Sequence, residues 1–391
     1  MDSRSRRRIS ALDGLRGIAA AIVVAHHSVL TTNRTLASQY HSGGRSPAIW
    51  SPDWFLMRTP LHVLWAGPEM VIVFFVLSGF VLALPAVERG FRWMSPGYLA
   101  RRLPRLYIPV WGALLLAGLL RLAVARHPIS GGGPWLNGHV DRLSATQGLR
   151  DATVVQQGDT WAYATVIWSL QWEVLFSLLL PVAVAVPILT RRRPWLALLA
   201  GCVCLLGIVY GSDHALGWLR YLPVFELGAL LAFHGHRWSV RRGASWLGLL
   251  LVAVTMLTAT YTFQNQGATA GSGLPELADI LGACLIVWLC SQAPARRALE
   301  SRPARWLGSR SYSLYLVHEP VIVTIVFALG GGAACLLLAV PLALLTAELT
   351  WRLVERPSQT FARRLGGWVD RTARALPLPQ IRTRTVHSER Q

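Results

Sequence analysis

Apolar residues fall in long runs separated by short polar gaps, and the runs have bilayer length. Ten can be counted, at about 11–30, 66–87, 106–125, 161–188, 194–211, 216–234, 245–263, 275–292, 307–329 and 332–353. A hydrocarbon core of about 30 Å needs about 20 residues of helix to cross it. The pattern therefore predicts an all-α, polytopic membrane protein with about ten transmembrane helices. It divides the chain into a basic N-terminus (1–10), a ten-helix transmembrane domain (11–353) and a basic tail (354–391).

The polar gaps carry the charge, and they alternate. Those at 1–10, 88–105, 190–193, 235–243, 294–305 and 354–391 are rich in Arg, whereas those at 31–65, 126–160, 212–215, 264–274 and 330–332 carry few or none. Positive loops stay on the cytoplasmic side, so both termini are expected there, and an even number of crossings agrees. The same bias accounts for the net charge of +19 without a nucleic-acid partner: all 38 basic residues are Arg and most sit between apolar runs. With 53% hydrophobic and only 15% charged residues, the chain is too apolar for an ordinary soluble protein.

Arg6-Arg7-Arg8 before an apolar run resembles a secretion signal. The run is broken by Asp13, Arg16, His26 and His27, so it is expected to be a retained first span. Cys202, Cys204, Cys284, Cys290 and Cys335 all lie in apolar runs, which predicts core residues, with no disulfide and no metal site. The long gaps at 31–65 and 126–160 are expected to be lids, binding segments or connectors. The tail after Pro357 is expected to be flexible and to lie near the anionic inner leaflet, with no soluble domain appended.

The first run is the unusual one. Ionisable groups at membrane depth cost about 2.5–3.5 kcal/mol each on insertion scales and face other helices or a wet cavity. Arg16 and His27 are eleven positions apart, which puts both on one helix face with Cα atoms about 16 Å apart along the axis. Asp13 is within pairing reach of Arg16. The spacing thus aims a cation near one end and an imidazole near the bilayer middle into a shared chamber. His26 points elsewhere and is more simply a structural residue.

Other ionisable residues divide less cleanly. Glu173, between Trp172 and Val174 on the fourth run, is either functional or the partner of an Arg on another helix. His318 shares a face with Tyr315 and is either a strut between helices or a site residue. Arg101, Arg102 and Arg105 either signal topology or bind an anion, since guanidinium groups grip phosphates bidentately. Glu226, Glu348, His234 and His236 lack supporting clusters. No Gly-x-Ser-x-Gly elbow and no thiol nucleophile is present. General-base activation of an alcohol, with cations at a donor's phosphates, is the simplest chemistry for these groups.

At these residues the chain resembles the acyltransferase-3 family of polytopic membrane O-acyltransferases. Leu12-Asp13-Gly14-Leu15-Arg16-Gly17 through His27 is similar to its first-helix signature. Phe74-Phe75-Val76-Leu77-Ser78-Gly79-Phe80, Arg101-Arg102-Leu103-Pro104-Arg105 and Trp168-Ser169-Leu170-Gln171-Trp172-Glu173 resemble the next three motifs. Leu307 through Tyr312, His318-Glu319-Pro320 and Glu355-Arg356-Pro357 resemble the late ones. Three positions depart from the pattern: His26, Ser177, where an aromatic is common, and Pro109, one residue late.

The resemblance implies an acyl-CoA co-substrate on the cytoplasmic side, with no other cofactor and no metal. It implies that Arg102 and Arg105 hold the donor phosphates and that His27 deprotonates the acceptor hydroxyl. Arg16, oriented by Asp13, would stabilise the donor or the oxyanion. Glu173 and His318 would line the cavity and position the acceptor, with Ser78 and Tyr315 completing the binding set. The expected acceptor is a hydroxyl of a sugar, glycoside or macrolide-like metabolite. The Arg- and Ala-rich composition suggests a bacterial cytoplasmic membrane. The alternatives are a transporter of a polar metabolite or acyl ester, which would show internal repeats, and an inactive scaffold.

Overall fold

The computed structural model describes residues 3–42, 47–140, 144–156, 161–240, 243–263 and 273–375. Among the described residues every regular element is a helix. The long ones are α1 (Ser3–Thr32), α2 (Gly67–Arg89), α3 (Tyr98–Ala123), α4 (Trp168–Thr190), α5 (Pro194–Asp213) and α6 (Gly217–His234). They continue with α7 (Ala244–Leu257), α8 (Gly273–Ser291), α9 (Arg302–Ala328), α10 (Leu336–Thr350) and α11 (Arg356–Ala375).

Each of the ten apolar stretches carries a helix, yet among the described residues seven helices are long and apolar enough to cross a membrane. An eighth qualifies if α8 and the short helix after it, bent by 74°, make one span. The 14-residue α7 is too short, and α6, which carries Arg220 and Glu226, does not qualify. Leucines on α5 and α10 such as Leu198, Leu206 and Leu337 are exposed, as an outer face against lipid requires. The chain is a multi-pass membrane protein.

Helices α1 and α9 form the centre. The spans Ser10–Thr32 and Arg302–Ala328 are 67% and 83% buried, against 17% for α5. Glycine sets their closeness. A Cβ on Gly17 would come within 2.5 Å of the Gly308 amide nitrogen, and one on Gly308 would strike the Asp13 carbonyl. Small residues of this kind let membrane helices touch backbone to backbone. The α2–α6 crossing repeats the device, with Gly79 against the Phe225 carbonyl and Gly228 against the Val76 carbonyl.

The gap at 31–65 is built rather than loose. Short helices at Arg34–Ser42, Pro52–Arg58 and Pro60–Leu64 bury Leu36, Met57 and Trp65 over the far end of α1. The 126–140 part of the second long gap packs against α1 and α9 through Trp135 and His139. Residues 43–46, 141–143 and 157–160 of these gaps lie outside the described residues.

The tail departs from expectation. Ala333–Ala375 runs as one helix of 43 residues, about 65 Å long, twice what the hydrocarbon core accommodates. A π-turn at Trp351–Glu355 marks the passage from α10 to α11. Helix α11 is fixed to the start of α3, because Asp370 accepts from the Gly97 amide at 2.8 Å and from Arg101 at 2.6 Å. So residues 356–375 are ordered against the bundle; 376–391 lie outside the described residues.

Candidate active site

Two cavities lie along α1 and meet at a narrow wall. The first, of about 330 Å³, is lined by Asp13, Arg16, Ser78, Arg102, Arg105 and Glu173, among others. Its arginines are held differently. Arg102 donates to Glu173 at 2.7 Å and to the Ser177 hydroxyl at 3.0 Å. Ser177, where the motif commonly has an aromatic, thus helps clamp the guanidinium. Arg16 is 3.5 Å from Asp13, the pair expected one turn apart. Arg105 faces the cavity with no hydrogen-bonding partner among the described residues. It is the guanidinium best placed to take an incoming anion. Arg101 is different again, bound to Asp370 and Ser95, and belongs to the α3–α11 joint.

The second cavity, of about 560 Å³, holds His27. The hydrogen bonds around this ring fix its tautomer. His318 Nδ1 lies 2.8 Å from the Leu314 carbonyl, which only accepts, so Nδ1 carries the proton. His318 Nε2 is then an acceptor, and it lies 2.9 Å from His27 Nδ1. His27 Nδ1 must donate, which leaves the His27 Nε2 lone pair without a partner among the described residues. A neutral imidazole with one nitrogen donating and the other open is a general base in waiting.

Behind this pair lies a second layer. Glu319, 1% exposed, accepts from the Thr165 and Val166 amides at 3.0 Å each and lies 3.1 Å from His139 Nε2. His139 Nδ1 is 2.8 Å from the Trp135 carbonyl. The Trp135 ring sits between the two imidazoles, 5.1 Å from His27 and 4.4 Å from His139. The carboxylate thereby ties α9, the α4 entry and the 126–140 segment together around the base. His26 lines the second cavity too, with its Nδ1 2.9 Å from the Trp65 carbonyl and its ring stacked on Trp65.

Val71 and Tyr315 line both cavities. The Tyr315 hydroxyl is held by Ser169 at 2.7 Å and by the Val166 carbonyl at 3.0 Å. A third cavity, of about 720 Å³, shares Thr165, Trp168, Arg220 and Tyr221 with the second. A chain of three adjoining spaces thus runs from the arginine cluster, past His27, to the loops at the other end of the bundle.

Set against the sequence reading, three placements change. Arg16 and His27 open into two adjoining chambers rather than one. His27 sits five residues from the end of the Ser10–Thr32 span, not near its middle. His318 lines neither cavity and is fully buried behind His27; Glu173 stands in the arginine chamber as the partner of Arg102. Four residues escaped notice. His139 sits in a loop without periodicity. Glu319 falls inside a quoted motif, but its partners are remote in sequence. Glu69 and Asp279, which line the second cavity, are carboxyl residues inside apolar runs, and the rule that singled out Glu173 would have found them.

Fold and cavities define a multi-pass membrane protein in which an arginine-lined chamber adjoins a chamber holding a buried histidine pair. A family model described as an acyltransferase domain matches residues 9–349, and the chain belongs to this family, acyltransferase-3. It is 26% identical over 337 residues to acyltransferase MdmB of Streptomyces mycarofaciens, covering 81% of this chain and 79% of that one. It is 24% identical to acyltransferase R4 of Phoma sp., covering 90% and 95%. A segment of 96 residues is 38% identical to a protein of Bacillus subtilis (strain 168) provisionally named peptidoglycan O-acetyltransferase YrhL, covering 22% and 15%. No solved structure matches. The transporter alternative finds no support in these matches.

Proposed function

We propose that the protein moves an acyl group from acyl-CoA to a hydroxyl of a sugar, glycoside or macrolide-like metabolite in a bacterial cytoplasmic membrane. The observation that carries this reading is the open Nε2 of His27, facing a chamber that adjoins the arginine cluster. The donor enters from the cytoplasmic side, where both termini lie in a bundle of about ten crossings. Arg105 and Arg102 hold its phosphates, and its extended thioester arm passes Val71 and Tyr315. The acceptor lies against the aromatic walls beside His27. Nε2 takes the hydroxyl proton as the oxygen attacks the thioester carbonyl. The tetrahedral intermediate collapses to the ester and CoA thiolate, and the proton on His27 passes to the thiolate.

In this reading Arg16 serves the donor rather than the oxyanion. Eleven helical residues separate it from His27 by about 16 Å, too far for its guanidinium to reach an oxyanion formed at Nε2. Mass spectrometry of glycans and metabolites from cells with and without this gene tests the reading. The expected difference is an acyl ester present only with the gene; identical profiles overturn it.

A further inference from the structure

The chamber beside His27 differs in charge from the one it adjoins. Three guanidiniums (Arg16, Arg102, Arg105) and three carboxylates (Asp13, Glu173, Glu355) line the arginine chamber. The His27 chamber is lined by Glu69, Glu276 and Asp279 against one guanidinium, Arg220. Arg220 is already engaged, its Nε donating to Glu276 at 2.7 Å. The chamber therefore keeps more carboxylate than cation.

These carboxylates are not fully satisfied. Glu69 is 2% exposed and its Oε2 has no hydrogen-bond partner among the described residues. Its other oxygen is 3.4 Å from His62 Nε2, and among the described residues neither nitrogen of that ring makes a hydrogen bond. Glu276 Oε2 is likewise buried without a partner among the described residues. Asp279, 4% exposed, accepts the Thr260 amide at 3.1 Å and the Thr260 hydroxyl, neither of them charged. Burying carboxylates this way is costly unless a cation completes them. The wall between them is aromatic: Tyr40 and Tyr261 stack at 5.8 Å, and both line the chamber. Carboxylates set among aromatic faces are the surroundings that recognise an organic cation.

We infer that Glu69, Asp279 and Glu276, with Tyr40 and Tyr261, form a cation subsite that binds a protonated amine of the acceptor while its hydroxyl faces His27. The inference rests on the reading of this chamber as the acceptor site. It adds that the acceptor class is amine-bearing, an amino sugar or its glycoside. The same negative charge repels the donor's phosphates and keeps them at the arginine end.

Two probes differing at one group test this: octyl 2-amino-2-deoxyglucoside and octyl glucoside. Their equilibrium binding to the purified full-length protein is compared below the amine's pKa. The amine should bind at least tenfold more tightly. Its N-acetylated form, which lacks the charge, should fall to the level of the glucoside. The double variant Glu69→Gln, Asp279→Asn should lose the preference. Equal binding of the two probes, no binding of the amine, or a preference that survives N-acetylation or the double variant overturns the subsite. If the variant does not fold, the three probes on the natural chain still decide. Transfer from labelled acetyl-CoA is measured separately. Amine preference without any transfer sinks the acyltransfer reading and leaves the subsite standing; transfer without preference does the reverse.

Discussion

At the scale of single residues, the protonation pattern of two imidazoles determines what the site can do. The Leu314 carbonyl sets His318, and His318 sets His27. His318 is thus a positioning residue, acting through its neighbour. In His318→Ala the orienting hydrogen bond is lost, worth about 1 kcal/mol. The kcat of acyl transfer should fall about fivefold with little change in KM. His318→Gln, whose amide oxygen can still accept from Nδ1, should recover part of it. Equal kcat in all three proteins would remove the orienting role. Arg105 makes the complementary case. It makes no hydrogen bond among the described residues, so Arg105→Ala should leave the fold intact. It should raise KM for acyl-CoA about 10- to 100-fold, the loss of one charge-assisted hydrogen bond of about 1.5–3 kcal/mol. Unchanged KM in steady-state kinetics would move the phosphates elsewhere.

At the scale of elements, much of the site was legible and some of it was not. Helix periodicity alone put Asp13 beside Arg16 and Tyr315 beside His318, because these are neighbours within one helix. A pairing of Glu173 with an arginine of another helix stood among the alternatives, without saying which arginine. Contacts between helices were not legible. Nothing in the spacing of α9 says that His318 faces α1 rather than a cavity, and the Arg101–Asp370 bond joins residues 269 apart in sequence. The tail was misread for a related reason. Its high charge suggested a flexible segment near the inner leaflet, whereas α11 is amphipathic and ties its Asp370 to Arg101 of α3. The glycines of the α1–α9 crossing carry a further consequence. In Gly308→Val the new side chain meets the Asp13 carbonyl and must part the two helices. A loss of about 1–3 kcal/mol is expected, read as a lower melting temperature of the purified protein, with activity lost alongside because Asp13 and Arg16 shift. A variant as stable as the parent would mean the crossing is looser than its geometry indicates.

At the scale of the whole molecule, the bundle separates two kinds of recognition along one path. Guanidiniums gather at the end where α3 begins, and unsatisfied carboxylates at the far end of α1. His27 stands past the arginine cluster, in a chamber whose one guanidinium, Arg220, is paired with Glu276. The short helices over the far end of α1 and its close glycine crossing with α9 hold the helix that carries His27, and His27 lines a space with room for a substrate. The most direct test is the rate of labelled acetyl transfer from acetyl-CoA to an extract of the host's glycans and glycosylated metabolites, using purified natural protein and a His27→Ala variant shown to melt at the same temperature. The variant should lose about 10²–10⁴-fold in kcat, the worth of a general base, while its KM for acetyl-CoA stays where it was. A folded His27→Ala protein that transfers acetyl at the natural rate would contradict the account.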